Sequence, residues 1–133
     1  GGDHGPIHAF TLDVREPNHP ITRGLPPHFA HAADELYNRL RGPAENITLL
    51  ATAYDKPVSP ASSGRHEPIL FTVTYGQGRI FHTTLGHVRA DPTAMRSVAF
   101  IATFQRGAEW AATGHVTQPI PADFPDATTP RLR

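Results

Sequence analysis

Apolar and polar positions alternate along residues 8–15 with the period of a β-strand. Phe10, Leu12 and Val14 fall on one face, and small or polar residues lie between them. This two-residue period predicts a strand with one buried face. Residues 46–54 (NITLLATAY) have a nearly continuous apolar middle instead, which predicts a strand that is buried on both faces.

A β-hairpin is predicted around Gly76-Gln77-Gly78. Residues 69–75 and 79–84 on either side are rich in β-branched and aromatic side chains. Both glycines tolerate the positive φ that a tight reversal needs. Within the second strand we expect His82 to be buried and bonded to the backbone of a neighbouring strand.

His87 follows that second strand directly, after Leu85 and Gly86. In open α/β sheets, ligand chemistry collects beyond the carboxyl ends of strands. The position therefore makes His87 a candidate site residue. An ordinary loop histidine fits the same spacing, so both interpretations stay open.

Residues 28–40 fit two structures. Good helix formers are frequent there, and four apolar residues have helical spacing: Ala32, Ala33, Leu36 and Leu40. The same segment can also run extended. The Pro, Ser and Gly residues at positions 55–66 predict a loop that tolerates insertion.

A single long helix is predicted after the hairpin. Asp91-Pro92 is a strong helix start, and Gly114 has the usual C-terminal position. One side of this helix carries Met95, Val98, Ala99, Ala102, Arg106 and Trp110, and we expect the tryptophan in the core. Residues 115–133 contain four prolines and little periodicity, which predicts a tail that is draped on the surface or disordered.

Composition narrows the classes of function. The chain has 133 residues, enough for one domain with a real core. Lys plus Arg and Asp plus Glu are equal at 12 each, which argues against nucleic acid or a membrane surface as the main partner. Cysteine is absent, so disulfides and thiolate nucleophiles are excluded. The sequence assigns no cellular compartment.

The 9 histidines form a large set for this length, and several lie in short polar groups. His4 lies in the glycine-rich start GGDHGPIH, where it suits the role of a donor or a base, although a flexible start has the same composition. Arg65, His66 and Glu67 lie in GRHEP, which forms either ligand contacts or an ordinary exposed loop.

The segment HAADELY contains His31, Asp34, Glu35 and Tyr37. A histidine, a carboxylate and a phenol suit acid–base chemistry or the binding of sugar hydroxyls. Because adjacent carboxylates point in different directions, only one of Asp34 and Glu35 can readily face a pocket. We expect the other to cap backbone groups or to meet solvent.

Several familiar motifs are absent from the sequence. There is no GxSxG nucleophile elbow, no GxxxxGK[ST] phosphate loop and no HExxH zinc pair. A divalent metal held by His4, His87 and a carboxylate is an alternative that the spacing does not support. The cofactor, if there is one, is not defined.

The chain resembles the ThuA-like family of trehalose-utilisation proteins. The resemblance is carried in order by HPITRGLP (19–26), DELY (34–37), LLATAY (49–54), HEP (66–68), YGQGRIFHTTLGH (75–87) and RGAEWA (106–111). It implies a three-layer α/β/α fold of the flavodoxin-like or class I glutamine amidotransferase-like type, and it favours the extended form of DELY. Residues 1–114 are expected to form the C-terminal portion of such a domain, with 115–133 as its tail.

The resemblance also implies a function, and it implies that the sequence corresponds to only part of a family member. The function is the processing of a sugar or an oxidised (keto) disaccharide, with His87, Glu35, Tyr37 and His4 as catalytic residues. Asp34, His31 and residues 65–67 would then bind the ligand. Family members have an N-terminal half ahead of GGDHGP, so we expect a part of the sheet only, which self-associates or pairs with that half.

Two other functions remain open from the sequence. The same residues would also suit a noncatalytic module that binds a carbohydrate or a partner. The chain would alternatively be an inactive fragment, in which case it should not unfold as a sharp two-state monomer.

Overall fold

The computed structural model describes residues 2–88 and 90–133 as a mixed α/β structure. Gly1, part of the predicted glycine-rich start, lies outside this range. The strands are β1 (Asp3–His4), β2 (His8–Val14), β3 (His28–Asp34), β4 (Tyr37–Asn38), β5 (Ile47–Tyr54), β6 (His66–Tyr75) and β7 (Gly78–Thr83). The helices are α1 (Thr93–Arg96) and α2 (Val98–Thr113).

Five strands form one sheet in the order β3-β2-β5-β6-β7, and β1 pairs with β4 in a separate ladder. Every pairing among the described strands is antiparallel. Helix α2 contacts both edge strands, β3 and β7, so the sheet curls around it. No helix in the described part of the chain is long and apolar enough to cross a membrane.

The flavodoxin-like three-layer arrangement expected from the resemblance is not confirmed. Parallel strands need long crossover connections, usually through a helix. Here both described helices follow β7, and β6 returns into β7 through a two-residue turn. Connections of this kind produce antiparallel neighbours, which is why the sheet differs from the expected one.

The predicted strands are largely confirmed. The alternating run at 8–15 is β2, and residues 28–40 are extended as β3 and β4 rather than helical. In β5 only the second part is buried on both faces, because Ile47, Thr48 and Leu49 are exposed. The hairpin turns at Gly76, which has a φ of +57°, the first-position geometry of a type II′ turn.

Two expectations for aromatic residues of the core differ from the structure. His82 is exposed and stacks on Phe71 with ring centroids 4.4 Å apart, so its predicted burial and backbone bond are wrong. The reason is that this face of the hairpin carries no covering element in the described structure. Trp110 is half-buried, with one edge on the core and its ring 4.9 Å from that of His19.

The predicted single helix is two helices. Gly114 ends α2 with a φ of +81°, so the predicted C-terminal end is confirmed. At the other end the N-cap of α1 is Pro92 rather than Asp91, one residue later than predicted, although Asp91 Oδ1 accepts the backbone N–H of Thr93 at 2.9 Å. Ser97 is extended, with a ψ of 127°, and forms a bridge with Leu132. The pairing with the C-terminal tail interrupts the helix there and leaves Met95 exposed rather than on the buried side.

The C-terminal tail is packed on the domain, so the expectation of disorder is wrong and that of a surface-draped tail is confirmed. Val116, Ile120 and Phe124 pack against the core, and the Phe124 ring lies 5.1 Å from that of Phe29. The buried Arg106 of α2 donates to the carbonyl oxygen of Gln118 and to those of residues 20, 21 and 23. This guanidinium joins the tail, the helix and the loop after β2.

The core lies between the curled sheet and α2. Its members are apolar residues from β2, β3, β5 and β6 together with the loops that precede β3 and follow β7, and they include Leu12, Ile21, Phe29, Leu50, Leu70 and Leu85. Each buried side chain of this size stabilises the fold by about 1.5–3 kcal/mol. The core therefore fixes the strand ends on which the polar clusters described next are built.

Candidate functional site

Three polar side chains converge on one oxygen atom, Oε2 of Glu35. The Tyr37 hydroxyl donates to it at 2.9 Å. His87 Nδ1 lies 3.4 Å from the same oxygen and His4 Nε2 lies 3.5 Å from it. All four residues predicted as catalytic are thus brought together, although they are spread over more than 80 positions of the sequence.

Strand pairing explains how His4 and Tyr37 meet. β1 and β4 are antiparallel with His4 directly opposite Tyr37, and their rings lie 5.8 Å apart in an edge-on arrangement. Glu35 lies in the short connection between β3 and β4 and is only 2% exposed. The cluster is therefore fixed by backbone pairing on one side and by burial on the other.

Asp34 fixes the position of His87. Its carboxylate accepts the backbone N–H groups of Gly86 at 2.7 Å, of His87 at 3.2 Å and of Glu35 at 2.8 Å. It also bonds to His31 Nε2 at 2.9 Å, and both side chains are completely buried. Of the adjacent carboxylates, Asp34 thus binds backbone groups and Glu35 faces the cluster.

The turn at Gly86 requires glycine. Its φ is +91°, and a Cβ atom there would lie 2.7 Å from the ring of Phe100. Only glycine adopts this conformation without strain and leaves room for the ring. The turn brings the backbone N–H groups of residues 86 and 87 to Asp34.

Counting donors indicates how the protons are distributed. Tyr37 has one hydroxyl proton and gives it to Glu35, so its oxygen can only accept from His87 Nδ1, which lies 3.3 Å away. The neutral His87 ring then carries its proton on Nδ1 and a lone pair on Nε2. No described residue hydrogen-bonds to that Nε2, and the side chain is 35% exposed.

His4 has a different protonation pattern. Its Nδ1 lies 2.7 Å from the carbonyl oxygen of Gly5, which only accepts, so Nδ1 carries a proton. Nε2 then meets Glu35 favourably only as part of an imidazolium or opposite a protonated carboxyl group. His4 and Glu35 together can therefore hold one additional proton beside His87.

A cleft of about 410 Å³ opens beside this cluster. Its lining includes Tyr37, Leu40, His82, Thr83, Thr84 and His87. Partial burial of the ring lowers the pKa of His82, which favours the neutral form at pH 7. The volume lies in the range of small-molecule sites.

The other predicted ligand residues lie elsewhere. His31 and Asp34 are buried and do not line the cleft, and Asp34 instead lines a smaller pocket of about 100 Å³ together with Glu35 and His87. Arg65, His66 and Glu67 line a second pocket of about 480 Å³, which shares Leu40 with the cleft. The predicted exposed loop holds for Arg65, whereas His66 is exposed but begins β6 and Glu67 is buried within that strand.

Sequence reasoning missed Arg39 and Leu40, which line the second pocket. No sequence pattern points to either residue. The positive φ of Arg39, +51°, for example, corresponds to no sequence motif. Within the described residues no group of three or more His, Asp or Glu side chains is placed to hold a metal ion.

The fold and the cluster define a mixed α/β domain with a histidine–carboxylate–tyrosine site at the end of a β-hairpin. The family model for trehalose utilisation, ThuA, matches residues 2–111, and the chain belongs to this family. A search among curated proteins gave no significant match.

Two solved structures are similar to this chain. A ThuA-like protein from Parabacteroides merdae ATCC 43184 is 51% identical over 100% of the chain, with a TM-score of 0.94. The chain spans about half of that protein, 48% of its length. A ThuA-like protein from Bacteroides uniformis ATCC 8492 aligns with 53% of this chain and 31% of its own, at 20% identity and a TM-score of 0.41, which is too weak to support an argument.

Proposed function

We propose that the cleft beside His87 binds a sugar or an oxidised (keto) disaccharide and that His87 acts on it as a general base. The observation that carries this proposal is the placement of His87 Nδ1 3.3 Å from the Tyr37 hydroxyl and 3.4 Å from Glu35 Oε2. That arrangement directs the Nε2 lone pair away from the cluster. The family description, trehalose utilisation, supports a saccharide as the ligand.

The proposed step is a proton transfer. His87 Nε2 takes a proton from a sugar hydroxyl or from a carbon next to a ketone, and the ring becomes an imidazolium. Its Nδ1–H then faces Glu35, whose negative charge stabilises the new positive charge. Tyr37 holds the ring in the required tautomer, and the pair formed by His4 and Glu35 supplies or stores the proton that product formation returns.

Burial strengthens this arrangement. Glu35 is almost inaccessible to water, so its interaction with the imidazolium is screened less than a surface pair would be. Backbone bonds to Asp34 hold the His87 main chain, which limits the reorganisation needed during the transfer. Both features favour proton transfer over simple hydrogen bonding.

Turnover of keto-disaccharides tests the proposal. We expect His87→Ala and Tyr37→Phe each to lower turnover by a factor of about 100 or more, the usual contribution of general base catalysis. His115→Ala is the matched control, because His115 is an exposed histidine outside the cleft. Unchanged turnover in both cleft variants would refute the site assignment.

A noncatalytic carbohydrate-binding module is the second candidate. It is favoured by the half-buried ring of Tyr37 and the exposed ring of His82 along the cleft, which offer flat surfaces to a sugar ring. Calorimetry with trehalose, glucose and their 3-keto forms separates the two functions. A binder gives heat of association without any product, whereas the enzyme converts a keto form.

We propose that the three-layer α/β/α, amidotransferase-like arrangement belongs to an assembly in which a second copy of the chain or a further polypeptide segment covers the open face of the hairpin. Support comes from the row formed by Ile47, Val73 and Ile80, which are paired across three strands with both isoleucines exposed. Size-exclusion chromatography with light scattering tests this, and a monomer at all concentrations would exclude self-association.

A further inference from the structure

The second pocket contains a largely buried acidic side chain that has no partner among the described residues. Glu67 lies near the start of β6 and is 8% exposed. No hydrogen bond or ion pair of its carboxylate is formed with any described residue. Its carboxylate oxygens are not among the fully buried polar atoms that lack a partner in the described residues, so the carboxylate reaches the pocket. A carboxylate of this kind, lining a pocket of about 480 Å³, is an acceptor available to a ligand.

Arg39 forms a fixed cationic part of the same pocket. One of its terminal nitrogens donates to the carbonyl oxygens of Pro60, at 3.3 Å, and Ser62, at 3.2 Å, and the other lies 3.6 Å from Oδ2 of Asp3, an exposed ion pair that a ligand would share. Its backbone has a φ of +51°, a conformation that is unfavourable for a residue with a Cβ atom. Strained positions of this kind persist where the surrounding structure holds them, and they concentrate at functional sites.

Arg65 provides a second guanidinium that the chain does not use. Its backbone is held by Ser63 and Asp55, but its side chain forms no hydrogen bond or ion pair with a described residue. A free surface arginine alone would be unremarkable in any protein. Here it lines the same pocket as the pinned Arg39 and the buried Glu67.

We infer that this pocket is a subsite for the charged part of an anionic saccharide, a sugar ring that bears a carboxylate or a phosphate. Guanidinium groups bind both oxyanions through paired N–H donors. Glu67 is placed to accept hydroxyl groups of the ring, which separates a polyhydroxylated anion from a simple one. The inference deepens the proposed function and rests on it only for the saccharide nature of the ligand.

The position of Leu40 connects this subsite to the His87 cleft. The same side chain lines both pockets, so a ligand of two joined units can lie across it. One unit would then meet Arg39, Arg65 and Glu67, and the other would meet His87. A disaccharide acid or a phosphorylated disaccharide has the required length and chemistry.

Calorimetric titration of the purified chain tests the inference with four probes: glucose, glucuronate, glucose 6-phosphate and inorganic phosphate. We expect at least one anionic sugar to bind about 10-fold more tightly than glucose, which charge-assisted hydrogen bonds can supply. The two anionic sugars distinguish a carboxylate from a phosphate ligand. If glucose binds as tightly as glucuronate and glucose 6-phosphate do, the inference is overturned.

Two variants assign the preference to the pocket. Arg65→Gln should remove most of the difference in affinity between the anionic sugar and glucose. Arg23→Gln is the control, because Arg23 is exposed and lies outside the pocket, and it should preserve that difference. Glu67→Gln removes a negative charge, so it should not weaken the binding of inorganic phosphate. It should weaken the binding of the anionic sugar, because Glu67 accepts hydroxyl groups of the ring. A preference that survives Arg65→Gln, or equal binding of inorganic and sugar phosphate, would contradict the assignment.

The outcome is separable from that of the proposed catalysis. Tyr37→Phe acts in the other cleft and should leave the anion preference unchanged while turnover falls. Loss of turnover in Tyr37→Phe together with no anion preference in the parent chain would overturn the subsite alone. The reverse pattern would overturn the catalytic site alone.

Discussion

Two buried carboxylates, Glu35 beside the His87 cleft and Glu67 in the second pocket, differ in their surroundings. Glu35 is surrounded by Tyr37, His4 and His87, whose polar atoms all lie within 3.5 Å of its Oε2 atom. Glu67 has no partner among the described residues. The first carboxylate is therefore built into a proton-carrying cluster, and the second leaves its hydrogen-bonding capacity to a ligand. In our proposals the first carboxylate therefore belongs to a site for chemistry and the second to a site for recognition.

The largest effect should follow from removing the support of the Glu35 cluster. Asp34→Asn replaces an acceptor of several N–H groups with a side chain that places an NH₂ against some of them. We expect the free energy of unfolding to fall by about 2–4 kcal/mol, as for other broken buried networks. Urea denaturation measures this change, with Glu45→Gln as the exposed control, expected within about 0.5 kcal/mol. A loss under about 1 kcal/mol would show that Asp34 is not the support.

The next effect concerns the coupling inside the cluster. Because Tyr37 and His87 act as a unit, Tyr37→Phe and His87→Gln should each lower turnover about 100-fold, and the double variant should be little worse than either. The free energy of unfolding should change by less than about 1 kcal/mol in Tyr37→Phe, since only a part-buried hydroxyl is lost. Strictly multiplicative losses in turnover would show that the two residues act independently.

A smaller effect should separate the two regions by their response to salt. The pocket of Arg39 and Arg65 is open to solvent, so its attraction for an anionic sugar is screened. Raising the ionic strength from about 0.05 M to about 0.5 M should weaken this binding several-fold while the catalytic rate at saturating substrate stays constant. Salt-insensitive binding of the anion would argue against a charge-based subsite.

The smallest effect is a pH dependence at the His82 ring. Its pKa is lowered from 6.5 by partial burial, so the unfolded chain binds a proton more readily than the folded chain. This contribution to stability is present above pH 6.5 and is lost as the pH falls through the lowered pKa. Nuclear magnetic resonance should show His82 titrating below pH 6.5, and His82→Gln should flatten the stability profile in that window. A His82 midpoint at pH 6.5 or above would contradict the assignment.

The sequence predicted the strands better than their assembly. Period-two alternation at residues 8–15 and the glycine turn at 76 are local signals, and the structure contains both elements. The antiparallel order depends on connections that local periodicity does not report, and the resemblance pointed to a different layer arrangement. The break at Ser97 depends on pairing with Leu132, a contact that no helix propensity encodes.

The candidate site was predictable only where local sequence signals mark its residues, and not where long-range pairing brings them together. His87 was identifiable from its place just after a strand and a glycine. The divergence of adjacent carboxylates predicted that one of Asp34 and Glu35 would face a pocket, but it did not decide which. Their convergence with His4 comes from the pairing of β1 with β4, which are only two residues long each and carry no propensity signal. Arg39 was missed because its position depends on carbonyl groups of a loop more than 20 residues away.

The protonation of the His87 ring is the most direct test of the central claim that Tyr37 and Glu35 direct its base nitrogen into the cleft. Nitrogen-15 correlation spectra of the neutral ring distinguish a proton on Nδ1 from a proton on Nε2. Our account predicts that Nδ1 carries the proton and that Tyr37→Phe shifts the population toward the other tautomer. A ring with its proton on Nε2, unaffected by that variant, would contradict it.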